Sequence, residues 1–418
     1  MGLEDVLGKT TDSLTAMSKK KGKDKRPLFS FGGDTPSFAS DDGAGDVRIW
    51  IPSGITMLDY ALGGGLPVGR ISEVFSDNES EGKTTTLLHF VVSVQRAGGA
   101  VIWLESESAM DKPRAQGIGV DLSNMIIWSP DTLEDGFRFI NDVIQKISED
   151  KDLKDKPTLI VWDTIAMART EAERDGDAFR DGIGAAPRTI ATALKNYTQE
   201  LYKYNVHLCL VNQSYTNINT TGYGGPGFET PGGKRIKFAS SVRIHLRRGS
   251  TIGDKPTLGR EDEKLGIISW ATTRKNKLAL ANRTVPMALY GKTGLNDIMT
   301  LAYAWNDGPY KWAEGLKSGG GWYQPIHCDS KVRWCEIEEA VRSNPATLGA
   351  WKQRAFEIFP VHPSRQLNPD GWFERTAQFD VSEFNLRKGL TSVTDAPGPT
   401  GVKTAAEYLS ELNQKPNS

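Results

Sequence analysis

Gly82, Lys83 and Thr84 form the chain's densest chemical pattern. They follow an apolar run, Ile71-Ser72-Glu73-Val74-Phe75, and lead into Thr86-Leu87-Leu88-His89-Phe90-Val91-Val92. Strand, tight loop, Gly-Lys-Thr and helix is the context that a nucleotide-phosphate cradle requires; the alternative is an ordinary strand-to-helix turn. Gly82 puts no Cβ between backbone and phosphate, so N–H groups can point inward at the helix N-terminus. The cradle would comprise Asp77, Asn78, Glu79, Ser80, Glu81, Gly82, Lys83, Thr84 and Thr85. Lys83 would reach the β- and γ-phosphates, and the Thr84 hydroxyl would hold Mg²⁺. One position breaks the pattern: where G-x-x-x-x-G-K-[ST] has its first glycine, this chain has Asp77.

Other strand ends carry groups of matching chemistry. Leu159-Ile160-Val161-Trp162-Asp163 is an apolar run ending in a carboxylate, which would face the Mg²⁺ shell or, alternatively, cap the next helix. Val101-Ile102-Trp103-Leu104 ends in Glu105 and Glu107, one of which could orient or deprotonate an attacking water, the alternative being surface charge or a helix cap. Leu208-Cys209-Leu210-Val211-Asn212 ends at Gln213, whose amide could sense a γ-phosphate or merely form a turn.

The elements that must position these groups follow from periodicity. Short apolar runs recur at Arg70–Phe75, Ala100–Leu104, Thr158–Trp162, His207–Val211, Val242–Leu246, Gly266–Ala271 and Val285–Tyr290. Helical stretches at Lys83–Arg96, Leu133–Ile147 and Ala185–Tyr204 separate the first four. That alternation predicts an α/β fold, a mostly parallel sheet with helices on both faces. The later runs have little helix between them and should add antiparallel strands at one edge. Asn217–Gly233 reads as a long polar loop.

Three regions are expected: a helix and linker over 1–48, a core over 49–312, and a small domain with a tail over 313–418. Residues 2–18 read as a short helix, followed by the basic run Lys19–Arg26 as a solvated linker. Val332–Arg342 and Ala346–Ile358 read as helices, and the stretch from Pro363 as partly disordered. With 51 basic and 52 acidic residues there is no global pull on nucleic acid, so any polyanion site must be local. The chain has no 18-residue apolar run, no basic-then-apolar leader, and three cysteines without metal-like spacing. These features predict no membrane span and a reduced, cytoplasmic compartment.

Taken in order, the motifs resemble the RecA-type recombinases. The resemblance rests on Ser53–Ile71 ahead of the phosphate loop, Glu229-Thr230-Pro231-Gly232-Gly233, Lys237–Arg243, Lys275-Asn276-Lys277, and Gly321-Trp322-Tyr323 with Asn344-Pro345. It runs from the N-terminal helix to about residue 358. It implies a RecA-like P-loop ATPase core, an N-terminal polymerisation helix and a small C-terminal α+β domain. It also implies ATP and Mg²⁺ as ligands, a helical homo-oligomer, and single-stranded and homologous duplex DNA as partners. By the same resemblance Glu107 is the catalytic glutamate, Asp163 the Walker B aspartate with Thr84 at the metal, and Gln213 the γ-phosphate switch. Lys275 and Lys277 would reach a neighbour's ATP, and Phe238 would carry the nucleotide signal across that interface or simply pack in the core. DNA-binding loops would correspond to Asp177–Ile183 and Ser214–Lys234. Arg188, Ile218, Gly232, Gly233 and Lys234 would contact DNA, and Arg180 by extrapolation.

Departures from the family pattern bear on ATP. Asp77 and Glu81 put two carboxylates near a triphosphate of roughly four negative charges, which weakens binding unless they point outward or engage Mg²⁺. Arg114 stands where the family commonly has an adenine-stacking tyrosine; its guanidinium can also stack. The family's acidic tail is replaced by near-neutral Glu407–Ser418. The distant match at the N-terminus and the odd phosphate loop fit a phage or otherwise divergent member better than a housekeeping bacterial one. The competing readings are a filament protein with degenerate catalysis and a ring-shaped helicase on the same core.

Overall fold

Period-two alternation in the buried strands sets the architecture. In Ala100–Glu105, Val101 and Trp103 pack into one apolar cluster while Ile102 and Leu104 pack into another. Thr158–Asp163 divides the same way, Leu159 and Val161 against Ile160 and Trp162. Strands apolar on both faces need a layer on each, so the sheet is sandwiched between helices. The computed structural model describes residues 47–107, 110–150, 153, 155–176, 185–217, 227–253 and 264–360. The expected helix at 2–18, the Lys19–Arg26 run, the Asp177–Ile183 loop with Arg180, Ile218, and the tail from 361 lie outside these residues.

The main sheet has nine strands, numbered here in chain order. They are β1 (Ile71–Ser76), β2 (Ala100–Glu105), β3 (Ile126–Trp128), β4 (Thr158–Asp163), β5 (Val206–Gln213), β6 (Val242–Gly253), β7 (Lys264–Asn276), β8 (Thr284–Tyr290) and β9 (Gly294–Asn296). Their spatial order is β9-β8-β7-β6-β1-β5-β4-β2-β3. The pairings from β6 through β3 are parallel, while β6–β7, β7–β8 and β8–β9 are antiparallel. Antiparallel strands are thus added at one edge, as the bunching of later apolar runs predicts.

On one face lie helices α1 (Thr56–Leu62) and α2 (Lys83–Arg96); on the other lie α4 (Leu133–Glu149) and α6 (Ala185–Lys203), with α3 (Lys112–Ile118) and the four-residue α5 (Glu171–Arg174) between them in sequence. Helix α4 starts where Thr132 accepts a hydrogen bond from Asp135 N (3.1 Å) and acidic residues fill its first turn. It crosses the sheet at Gly136, packed against the Trp162 ring. Helix α7 (Gly233–Ala239) follows the polar loop, and α8 (Asp297–Asn306) follows β9. Helices α9 (Ile337–Arg342) and α10 (Pro345–Ile358) follow the hairpin Leu316–Gly319/Trp322–Pro325, and α10 packs on α1 and α8.

Three details differ from the sequence reading, the first being that the Asn217–Gly233 stretch is not loop throughout, since Gly227–Glu229 is a strand paired antiparallel with Tyr215–Asn217. The Val332–Arg342 stretch is not one helix: Val332 bridges Tyr323, and a 3₁₀ turn at Trp334–Glu336 precedes α9. The backbone of Val332 is already committed to Tyr323 in both directions, and Glu336 caps the Arg333 N–H at 2.7 Å. Strand β3, three residues long, was too short to register in the pattern. Among the described residues no helix is long and apolar enough to cross a membrane.

Candidate active site

Parallel pairing brings the carboxyl ends of four strands to one edge. Ser76 at the end of β1 lies opposite Gln213 on β5, and Glu105 on β2 lies opposite Asp163 on β4. The chain leaves β1 through Asp77–Glu81 and enters α2 at Gly82, whose φ of 100° is the left-handed region that glycine tolerates best. A Cβ there would also lie 2.5 Å from Leu289 Cδ1. The left-handed torsion therefore sets the residue type, since the tip of the Leu289 side chain can shift to admit a Cβ.

Lys83 Nζ donates to Ser76 Oγ (2.7 Å) and the Asn78 carbonyl (3.4 Å). Burial lowers the pKa of its ammonium, opposed by Asp163, Glu107, Glu81 and Glu79. Thr84 Oγ1 donates to Asp163 Oδ2 at 2.7 Å. Burial raises Asp163 to about 6, against the Thr84 hydrogen bond that lowers it and with Glu105 and Glu107 adding to the rise. An extra cation beside Asp163 would relieve that electrostatic load. A hydroxyl and a carboxylate, both hard oxygen donors, are the protein share of a Mg²⁺ shell completed by phosphate and water. Among the described residues no cluster of three or more His, Cys, Asp or Glu side chains is arranged to hold a metal by itself. The Thr84 hydroxyl and Asp163 carboxylate fit a metal brought in with a phosphate ligand.

Glu107, just past β2, is exposed, and its Oε1 accepts from Thr164 Oγ1 at 3.0 Å. Glu105 is buried, takes the Trp103 indole N–H (3.2 Å) and receives the Glu107 amide (3.2 Å). Of the two carboxylates at this strand end, only Glu107 presents itself to solvent.

The two anomalous loop carboxylates are both engaged. Glu81 is buried, accepting from Asn78 Nδ2 (3.2 Å) and the Arg248 amide (3.3 Å), so it braces the loop from inside. Asp77 accepts from Ser214 Oγ and, at 3.0 Å, from His245 Nε2.

A second polar group lies behind β1. Glu73 is fully buried; Arg243 Nε donates to its Oε2 at 2.5 Å and Asn212 Nδ2 to its Oε1 at 3.0 Å. The same Asn212 amide holds the Pro231 carbonyl at 3.0 Å, next to Gly232 and α7. Gly232 sits at φ 86°, and a Cβ there would meet Ile236 Cδ1 at 2.5 Å. Sequence reasoning missed Glu73, Asn212, Ser214, Arg243, His245 and Arg274. The available signal was a charged residue inside an apolar strand, at Glu73 and again at Arg243 and His245.

The remaining predicted residues are dispersed. Lys275 Nζ donates to the carbonyls of Lys237 (2.5 Å) and Phe238 (3.2 Å) near the end of α7, and burial lowers its pKa. Phe238 is 68% exposed, which rules out the core-packing alternative. Lys277, Arg188 and Lys234 are exposed. Arg114 lies in the first turn of α3, where its backbone N–H is capped by Asp111 at 3.1 Å.

The chain is similar to known proteins over much of its length. The family described as RecA N-terminal domain matches residues 38–296, more than half of the chain. Protein RecA of Acholeplasma laidlawii is 34% identical over 286 residues, covering 68% of this chain and 79% of that protein. Protein RecA of Desulfovibrio desulfuricans is 35% identical over 254 residues, 60% of this chain and 66% of that protein. For protein RecA of Helicobacter hepaticus the figures are 37% over 230 residues, 55% and 62%.

Proposed function

The chain belongs to the RecA family of DNA recombinases, and on that premise we propose that its role in DNA recombination and repair is driven by DNA-dependent hydrolysis of Mg²⁺–ATP at the β1–α2 loop. The observation that carries this reading is the convergence of Lys83, the Thr84–Asp163 pair at 2.7 Å and exposed Glu107 on one sheet edge. In it, a helical filament of this chain on single-stranded DNA pairs it with homologous duplex DNA and exchanges strands.

Each residue's part follows from its surroundings. Lys83, shielded from water, offers its ammonium to the phosphates in place of Ser76 and the Asn78 carbonyl. Thr84 and Asp163 would hold Mg²⁺, which when bound supplies charge neutralisation at the phosphates. Glu107, oriented by Thr164, accepts the proton of the attacking water. Gln213 at the end of β5 senses the occupied loop from beside Ser76. Gly232, Gly233, Lys234 and Arg188 contact DNA, chiefly its backbone, and the same role is assigned to Arg180 and Ile218, which lie outside the described residues. Lys275 and Lys277 act on a neighbouring subunit's nucleotide: Lys275 exchanges the α7 carbonyls for phosphate as the filament assembles. Phe238, exposed in one chain, packs against that neighbour.

Degenerate catalysis is the weaker reading, because Asp77 and Glu81 are each hydrogen-bonded to protein groups. The test is steady-state ATP hydrolysis with and without single-stranded DNA, alongside strand exchange. Wild type should be stimulated by DNA, and Lys83→Ala should abolish both activities. Retention of both in Lys83→Ala would overturn the assignment.

A further inference from the structure

Asp77 is the residue that a phosphate loop should not contain, and the structure gives it partners on both neighbours of β1. Its Oδ1 accepts from Ser214 Oγ, just past β5, and from His245 Nε2 on β6 at 3.0 Å. The His245 ring is fully buried and stacked on Phe75 with centroids 4.8 Å apart and planes 7° from parallel. Its other nitrogen, Nδ1, is faced by Arg274 Nε and Nη2, each at 3.4 Å. A guanidinium only donates, so Nδ1 must be the acceptor and Nε2 carries the proton that Asp77 receives. The ring is thus a neutral connector between a cation and a carboxylate. Burial disfavours its protonated form and outweighs the pull of Asp77, with Arg274 and Arg247 adding to it, which agrees with a neutral ring. Arg274 reaches the ring from a β-bulge: Arg243 pairs with Lys275 and Ile244 with Thr273, leaving Arg274 opposite no residue of β6. Bulges of this kind re-aim a side chain next to a site.

We propose that His245, backed by Arg274, is a positioning residue of the nucleotide site, holding the Asp77 carboxylate against β6 and Ser214 and so keeping its charge away from the bound triphosphate. The proposal rests on the nucleotide-binding reading above. Replacing His245 by a residue that cannot donate leaves Ser214 Oγ as the remaining donor described above and loosens a carboxylate in a loop meant for an anion, where like charges repel through a partly desolvated medium.

Mg²⁺–ATP affinity, measured by calorimetry on the full chain, tests it. His245→Phe keeps an aromatic ring on Phe75 but removes the donor, and should bind ATP about tenfold more weakly than wild type. His245→Gln, which retains a donor and an acceptor, should stay within about twofold. Asp77→Asn/His245→Phe should return to within about twofold of Asp77→Asn, because no charge remains to be held back. Asp77→Asn alone disturbs no aromatic packing and should bind at least as tightly as wild type, which keeps the idea open to refutation if His245→Phe fails to fold. A His245→Phe protein of wild-type affinity, or a double variant as weak as His245→Phe, would show that the ring acts only by packing and would overturn the proposal. Failure of the underlying reading looks different: wild type and Lys83→Ala would then be indistinguishable in ATP titrations.

Discussion

Replacing Arg243 by methionine tests the polar group behind β1. Methionine matches the length of the arginine stem but removes the guanidinium, which is bonded to Glu73 Oε2 at 2.5 Å and sits 4.6 Å over the Phe75 ring. Glu73 has no exposure, so its carboxylate would keep a single amide partner, Asn212 Nδ2 at 3.0 Å, in a low-dielectric setting. Removing one partner of a buried pair costs about 3–5 kcal/mol, because the surviving charge is stranded. Domains of ordinary stability hold only about 5–15 kcal/mol, so urea unfolding followed by circular dichroism should show a midpoint shift that is easily read. Glu73→Gln/Arg243→Met removes the stranded charge and should recover at least half of the loss. The variant should also weaken the hold of Asn212 on the Pro231 carbonyl, and with it ATP–DNA coupling. A loss below about 1 kcal/mol, or a double variant no more stable than Arg243→Met, would refute the reasoning.

Three further outcomes are expected. Gly136→Ala puts a methyl 2.3 Å from the Trp162 ring tip, while the indole N–H is held by Ser106 at 3.0 Å, so thermal unfolding should show about 1–3 kcal/mol of overpacking loss. His89 is lowered to about 3 by burial, and its Nε2 accepts the Leu295 amide at 2.9 Å. A histidine depressed on folding gives its full stability above the unfolded pKa of 6.5 and loses it as pH falls toward the folded value. Stability should therefore fall below that pH, by roughly 2 kcal/mol from His89 at about pH 5, seen as a lower melting temperature, and His89→Gln should flatten the slope. Phe238→Ala should leave the melting temperature of the isolated chain unchanged, since the ring is 68% exposed, while lowering DNA-stimulated ATPase and filament length in electron micrographs; a large drop in melting temperature would contradict its placement at a subunit contact.

The sequence by itself determined the order of elements and the chemistry at the strand ends. Lys83–Arg96 is a helix to the residue, and the apolar runs became the strands of one sheet, because burial on both faces imposes long hydrophobic runs that sequence displays directly. The local pattern around Gly82 likewise carried its own torsional demand. Three-residue strands and a helix start displaced by the Tyr323–Val332 bridge were not legible, because they depend on pairing with distant segments. What only the tertiary structure decided is where each charge ends up. Asp77 read as a charge repelling ATP, yet parallel pairing of β6 beside β1, with Arg274 brought to the His245 ring at a bulge, gives it a donor from a residue 168 positions away. Glu81 likewise turns into the loop, toward the Arg248 amide 167 positions away. Such long-range partners leave no periodic trace in a chain, since a single hydrogen bond constrains two residue types and nothing between them.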